Sequence, residues 1–434
     1  MNSNQSKTTT IVTSLFKVLA KSYVKIKKPK VIAVAGSVGK TSTKLFISKI
    51  LSSEKNVSYM DDSYNSGVGL YLSIFRQKVP TRLNSIASWL LILLKSLSQF
   101  IKKGPEILVI EYGIDHIGEM KEFIDFIAPD ISVITAVCPE HMEFLKTIDI
   151  VAREELSLIK ETKDFSIINN VDISSKYTDE IKGKVYYYGG SNSEGSYKIN
   201  NWETDGSVVT FNIKGTVFKN IKIKLISEPL IRQLAGAMLL AKMLGLSDKS
   251  ITKAVQQIEP AASRMMLLSG VNESTIIDDT TNFSPLAGIE ALKALKRIPG
   301  NRKIAVLGNM HELGEYKDKG FQDVSEYFKK GIDILVLVGE LSIEKFSPYA
   351  KEFGFIQDKT LLHFKDAVSA GVFVRDNLAK KGDVILVKGP FGGFYLEETV
   401  KKLLKNSSDS IKLTRQSDFW IQKKIEHFGP SFYK

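Results

Sequence analysis

Short apolar runs alternate with longer stretches of helical period from residue 31 to about residue 172. KVIAVAG, EILVIEYG, ISVITAV and FSIINN read as buried strands, and residues 43–53 and 150–160 are among the helical stretches between them. That alternation predicts a parallel sheet with helices on both faces. From 185 to 227 the period falls to two, from VYYYGG to SVVTFNIKGTVFKNIKIKLIS, which predicts a small antiparallel sheet. The apolar helix PLIRQLAGAMLLAKMLGL follows, and after IEPAASR the alternation restarts with STIIDDTTN, RKIAVLGNM, DILVLVG and DVILVKG. The expected class is α/β. A basic amphipathic segment over 1–29 precedes a central domain over 30–262, whose parallel sheet is joined by the small antiparallel one. A Rossmann-like α/β domain with a basic tail spans 263–434. No fixed-period repeat or low-complexity tract interrupts the pattern.

Two helical patterns carry lysines among their apolar positions: TTTIVTSLFKVLAKSYVKIKKPK near the start, and LNSIASWLLILLKSLSQFIKK over 83–103. Lys17 and Lys21 break the first where a secretion signal needs an unbroken apolar stretch. The apolar core of the second, Ile86 to Leu94, is far shorter than the roughly 20 residues that span a bilayer. Each segment reads either as a helix packed on its own domain or as one resting on an anionic membrane surface.

Composition narrows the class. A chain of 434 residues exceeds one ordinary core, and 43% hydrophobic with 25% charged residues describes a soluble globular protein. Cys138 is the single cysteine, which excludes internal disulfides and a four-cysteine zinc site and suits a reducing cytoplasm. The net charge of +12 favours anionic ligands or an anionic surface, and no motif turns it towards nucleic acid.

The candidate chemistry begins where the first strand ends. Gly36-Ser37-Val38-Gly39-Lys40-Thr41-Ser42 lies between a strand and a helix. Ligands of open parallel sheets sit outside the carboxyl ends of the strands. There, glycines let backbone N–H groups close on phosphate oxygens. Lys40 can neutralise β- and γ-phosphate charge, and Thr41 offers its hydroxyl to Mg²⁺. The full Walker spacing needs a glycine at position 34, where this chain has Val34. Glu111 ends the second strand and His141 lies past the third, a carboxylate and an imidazole suited to Mg²⁺ beside a triphosphate.

With these residues the chain resembles the Mur ligases, most of all the MurF-type branch that adds D-alanyl-D-alanine to the UDP-N-acetylmuramoyl tripeptide. The resemblance runs in order through GSVGKTSTK, YNSGVG, EYGIDHIGEM, PDISVITAVCPEHMEFLKTIDIVAREE, SRMMLL, IIDDTTNFSP, AVLGNMHELGEY and VLVKGPFGG, from about residue 30 to 395. It implies an ATP-driven ligation in peptidoglycan synthesis. The substrate carboxylate takes the γ-phosphoryl group to give an acyl phosphate and ADP, and an amine then displaces phosphate. In that scheme the loop 36–42, with Asn282 and Arg302 from the second domain, holds the nucleotide. Thr41, Glu111 and His141 hold Mg²⁺. Lys40, His141 and Glu155 are the catalytic set, and Asn65 and Arg264 are candidates for substrate or cleft contacts. Small-molecule substrates, a muramyl peptide and D-Ala-D-Ala, are the implied partners, for a cytoplasmic monomer that supports cell shape and division.

Several positions depart from the family pattern. Many relatives carry a lysine carbamate that helps hold a second Mg²⁺, and here that position is Glu155, either a built-in carboxylate or a lost ligand. Ser66, Gly67, Asn309 and Pro390 also replace frequent family residues. The strand into the phosphate loop starts at residue 31, where the usual MurF-type enzyme has a whole preceding domain that grips the uridine nucleotide. Two alternatives stay open: a ligase for another carboxylate (a folate, a polyamino acid or a lipid-linked muramyl peptide), and a nucleotide-binding scaffold without ligase activity. The two domains are expected to close on ATP about a hinge at Glu259 to Arg264.

Overall fold

β-Branched and aliphatic runs give a nine-stranded sheet built of β1 (Lys30–Ala35), β2 (Val57–Ser58), β3 (Ile107–Glu111), β4 (Ile131–Ile134), β5 (Phe165–Asn169), β6 (Val185–Tyr188), β7 (Gly195–Glu203), β8 (Gly206–Ile213) and β9 (Thr216–Ile223). The computed structural model describes residues 7–65, 67–80, 85–179, 181–329, 331–429 and 432. Ser66, residues 83–84 of the second lysine-bearing segment and the first six residues lie outside these. Strand order is β2-β3-β1-β4-β5-β6-β7-β8-β9. The region of period two is indeed antiparallel, over β7 to β9. It does not stand apart as a separate sheet: Tyr188 of β6 pairs with Gly195 of β7, so these strands extend the parallel one. A Cβ at Gly195 would sit 3.1 Å from that of Tyr188, so glycine lets the seam close.

Side chains of β1 alternate between two cores. Ile32 and Val34 pack on one face with α2 (Lys40–Leu51) and the helix Glu228–Met243. Val31, Ala33 and Ala35 face the other core. That second face is covered by α1 (Lys7–Lys27), α3 (Gly67–Ile74), α4 (Ile86–Ser98), α5 (Glu119–Phe126), the short α6 (Met142–Leu145) and α7 (Ile148–Lys160). Both lysine-bearing segments are therefore helices with one face on their own domain: Phe16, Ala20 and Tyr23 of α1 are buried, as are Trp89 and Ile92 of α4.

A second sheet follows, of β10 (Met266–Ser269), β11 (Thr275–Asp279), β12 (Lys303–Leu307), β13 (Ile334–Val338), β14 (Leu361–Phe364) and β15 (Val384–Lys388), in the order β10-β11-β15-β12-β13-β14. It is parallel except for β10 against β11. The chain then returns over this domain. Arg415 meets Glu397 at 2.5 Å and donates to the carbonyls of Thr280 and Phe391, while Lys424 meets Glu398 at 2.6 Å. All four of these charged side chains are buried.

Candidate active site

The carboxyl end of β1 runs directly into the phosphate loop, and two glycines make its shape possible. Gly36 has φ +122°, and a Cβ there would lie 2.3 Å from Thr135 Oγ1. Gly39 sits in the left-handed region at φ +89° as the residue before α2, where a Cβ would lie 1.9 Å from Gln233 Nε2. Thr135 Oγ1 donates to the Val38 carbonyl at 2.6 Å, and Ser37 Oγ accepts from the Cys138 N–H at 3.1 Å, so the loop is fastened to the segment after β4. Lys40 folds over the loop and donates to the Gly36 and Ser37 carbonyls at 2.6 and 3.0 Å. Burial pulls the Lys40 pKa down, but Glu140, Glu155 and Glu111 outweigh it and hold the ammonium charged. Ser42 is buried one residue into the helix after Thr41.

Beside the loop, Thr41 Oγ1 lies 3.0 Å from Glu111 Oε1, and Ser63 Oγ lies 3.1 Å from the same oxygen. Lys44 Nζ is 3.2 Å from Glu111 Oε2, with both side chains buried. Burial pushes the Glu111 carboxyl up, and Lys44, Lys40 and Arg264 outweigh it, so the group stays ionised. Glu111 Oε2 thus has the Lys44 ammonium as its partner, whereas the buried Glu140 Oε2 has no hydrogen-bond donor. Lys44 was legible as a second lysine one helical turn after Lys40; Ser63 carries no signal of its own.

Glu155 comes from α7 and reaches into the loop, where its Oε2 accepts the Gly36 N–H at 2.7 Å. Burial raises its pKa to about 7 against the opposing pull of Lys40 and of the Gly36 bond. The structure thus joins Glu155 to the phosphate loop through the backbone.

His141 takes other partners. It sits at φ +52° ahead of α6, with Nδ1 2.6 Å from Glu312 Oε2 and Nε2 3.4 Å from Asp115 Oδ1. Burial lowers its pKa, but the Glu312 bond, Glu140 and Asp115 outweigh it and favour the imidazolium. With no metal bound, His141 is an ion-pair partner between the domains, its two ring nitrogens facing the carboxylates of Glu312 and Asp115.

Of the second-domain candidates, Arg264 Nη2 approaches Thr41 Oγ1 at 3.4 Å, and Asn282 Nδ2 donates to Glu140 Oε1 at 3.1 Å. Both reach the phosphate-loop domain. Asn65 lies against Gly113 just past β3, its backbone carbonyl accepting the Gly113 N–H at 3.1 Å. Arg302 is a correction. It precedes the first residue of β12, at the amino end of the strand, and its guanidinium is held by Asp383 at 2.9 and 2.6 Å and by the Leu378 carbonyl. Asn282 follows the carboxyl end of β11, which runs parallel within the same sheet, so the two cannot serve one nucleotide site. Asn309 accepts the Ser342 N–H at 2.8 Å and so steadies the start of the helix Glu340–Glu352. Ser263, within the expected hinge, is tied to Asp278 at 2.7 Å.

The donors fit Mg²⁺ and a nucleotide triphosphate. The Thr41 hydroxyl and the Glu111 carboxylate, 3.0 Å apart, are hard oxygens at the mouth of a loop that a Cβ would fill. No cluster of three His, Cys, Asp or Glu residues gathers for a metal among the described residues. Mg²⁺ needs none, since it is usually held by one or two carboxylates together with phosphate oxygens and water.

A phosphate loop, an adjoining buried carboxylate and a second α/β domain leaning over both define a nucleotide-dependent enzyme of two domains. Models of the Mur ligase middle domain and of the Mur ligase glutamate ligase domain match residues 34–241 and 263–391, and the chain belongs to the Mur ligase family. The UDP-N-acetylmuramoyl-tripeptide–D-alanyl-D-alanine ligase of Bacillus subtilis is 26% identical over 396 residues, covering 89% of this chain and 79% of that protein. The enzyme of the same name from Borreliella burgdorferi is 26% identical over 384 residues, 84% of this chain and 75% of that one. The fold matches MurF from Acinetobacter baumannii with a TM-score of 0.74 at 19% identity, covering 90% of this chain and 80% of that one. It also matches MurF ligase from Thermotoga maritima in complex with ADP, with a TM-score of 0.73 at 21% identity over 92% and 84% of the two chains.

Proposed function

We propose that the protein is an ATP-dependent ligase that joins D-alanyl-D-alanine to a muramyl-peptide carboxylate in peptidoglycan synthesis. The observation that carries this reading is the contact at Thr41. A phosphate-loop hydroxyl touches a buried, ionised carboxylate of its own domain and an arginine of the other. The loop N–H groups of residues 36–42 and the Lys40 ammonium receive the phosphates, and Arg264 approaches from across the cleft. Thr41 and Glu111 would hold Mg²⁺, which supplies charge neutralisation for the transferred phosphoryl group. A carboxylate oxygen of the muramyl peptide bonds to the γ-phosphorus as the bond to ADP breaks. The amine nitrogen then bonds to the acyl carbon, and phosphate leaves. Most of the rate gain is positioning and electrostatics, and water must be kept from the acyl phosphate between the two steps.

Glu155 stands in this reading as a built-in carboxylate. Its pKa of about 7 leaves it partly protonated when no cation is near, and a bound cation would draw it to the ionised form. Asn282 is assigned to the nucleotide and Asn65 to the substrate side of the cleft. The same reading places the enzyme in the cytoplasm as a monomer. The test is ADP release across a panel of muramyl peptides and amine donors, with the amide products identified by mass spectrometry. Turnover with a folate or polyamino acid and none with any muramyl peptide would refute the substrate, and ATP binding without turnover on any pair would refute the ligase.

A further inference from the structure

Ten of the eighteen exposed large hydrophobic side chains among the described residues lie within residues 11–26 and 86–101. The other eight are distributed over residues 117–411. At 3.6 residues per turn, Ile11, Leu15, Val18 and Ile26 of α1 fall within about 80° of one another, forming an outward stripe. Phe16, Ala20 and Tyr23, which hold the helix to its domain, occupy a different face. Lys17, Lys21 and Lys25 form a third, on the far side of the stripe from the buried one.

The helix α4 is apolar nearly all round. Trp89 and Ile92 turn inward, while Ile86, Leu90, Leu91, Leu94 and Leu97 face outward, with Ile86 79% exposed; Ile101 beyond the helix is 90% exposed. The two helices are neighbours. Phe16 and Trp89 have ring centroids 6.0 Å apart, Tyr23 and Phe100 5.3 Å, and Lys27 Nζ donates to the Phe100 carbonyl at 2.7 Å. Contiguous apolar surface of this kind marks an interaction site.

The charge around it selects the partner. Residues 7–53 and 83–105 contain no aspartate or glutamate. Lys17, Lys25, Lys28, Lys95, Lys102 and Lys103 are exposed there, and none has a carboxylate partner among the described residues. No described helix is long and apolar enough to cross a membrane. At 1.5 Å per residue the 13 residues of α4 span about 20 Å against a hydrocarbon core of about 30 Å. Exposed leucines bordered by unpaired lysines, on one helix too short to span and another interrupted by lysines, are the chemistry of an interfacial anchor.

We propose that α1 and α4 together form a docking surface for an anionic lipid bilayer, on which the protein lies with its outward leucines and isoleucines in the headgroup boundary and its lysines on the phosphates. The inference stands on this surface alone and does not depend on the ligase substrate.

The test is co-sedimentation of the full chain with vesicles of phosphatidylglycerol and phosphatidylcholine in equal parts, and with vesicles of phosphatidylcholine alone, at low and high salt. Binding to the anionic vesicles that weakens with salt is expected. Lys17→Gln, Lys25→Gln and Lys95→Gln combined should lower the partition roughly 100-fold, from about fivefold per lysine. Leu90→Gln with Leu94→Gln should lower it by a similar factor, with an unchanged melting temperature and unchanged nucleotide binding in solution. Equal binding to both vesicle types would overturn the proposal, as would no binding to either. A dimer in sedimentation equilibrium that the leucine variants split, without vesicle binding, would overturn it in favour of a contact between copies.

Discussion

Glutamine at position 155 separates what the buried carboxylate does for the fold from what it does for the reaction. Glu155 is buried, its ordinary pKa of 4.5 is raised to about 7, and it has a single identified donor, the Gly36 N–H at 2.7 Å. A carboxyl whose folded pKa lies above its unfolded one binds more protons folded than unfolded between the two values. Stability contributed by the protonated group is therefore full below about pH 4.5 and falls as pH rises towards 7. At about 1.4 kcal/mol per pKa unit the loss reaches about 3 kcal/mol, an order-of-magnitude figure. Glu155→Gln keeps the shape and an oxygen to accept the Gly36 N–H but cannot ionise. In the metal-free protein the variant should match the wild type near pH 4.5 and exceed it by up to about 3 kcal/mol above pH 7.

Asp278 is also buried with a pKa raised to about 7, so the wild type slopes for two reasons, and the difference between the two proteins is the quantity to read. Thermal unfolding across this pH range gives that difference. Ligation measured against Mg²⁺ should fall in the variant, with no response to bicarbonate in either protein. Parallel stability profiles would refute the claim that ionised Glu155 is strained, and an unchanged Mg²⁺ titration would refute its part in the reaction.

Lys40→Ala should abolish ATP-dependent ligation with little change in melting temperature, because the ammonium rests on two loop carbonyls and holds no apolar packing; near-normal turnover would sink the nucleotide assignment. Arg264→Ala should lower kcat by an order of magnitude or more, whereas Arg302→Ala should leave kcat alone and cost about 1–3 kcal/mol of stability through its ion pair with buried Asp383. Equal effects on turnover would return Arg302 to the site. His141 has a raised pKa, so the stability its pair with Glu312 contributes is full below the unfolded value near 6.5 and is lost as pH rises through the folded one. Small-angle scattering of the nucleotide-free protein should show the radius of gyration increase over that rise, and Glu312→Gln should abolish the change; a flat wild-type profile would mean the pair does not hold the domains together.

Features whose cause is local could be read from the sequence. Most strands of both sheets announced themselves by apolar period, though the short edge strands β2, β10 and β14 did not, and the phosphate loop by glycines between a strand and a helix. Arg302 could have been excluded on the same grounds, because it stands before its strand and ligands gather at the other end. The partner of His141 was not readable: Glu312 is 171 positions away, and only the packing of the two domains brings it to 2.6 Å. The continuity of the nine-stranded sheet was hidden likewise, since period two shows that strands are antiparallel to one another and says nothing about which edge they join.

The order in which the ribosome makes this chain matters for its second domain. Arg415 and Lys424, which neutralise the buried Glu397 and Glu398, are translated after the last strand of that sheet. Until they emerge, a nascent chain that closed the domain would enclose Glu397 with no counter-charge and Glu398 with only Lys401, 4.0 Å away, a cost of several kcal/mol. The phosphate-loop domain has one core of its own, under α1 and α3 to α7, and can settle early, whereas its neighbour must wait for a stretch of chain that contributes no strand at all.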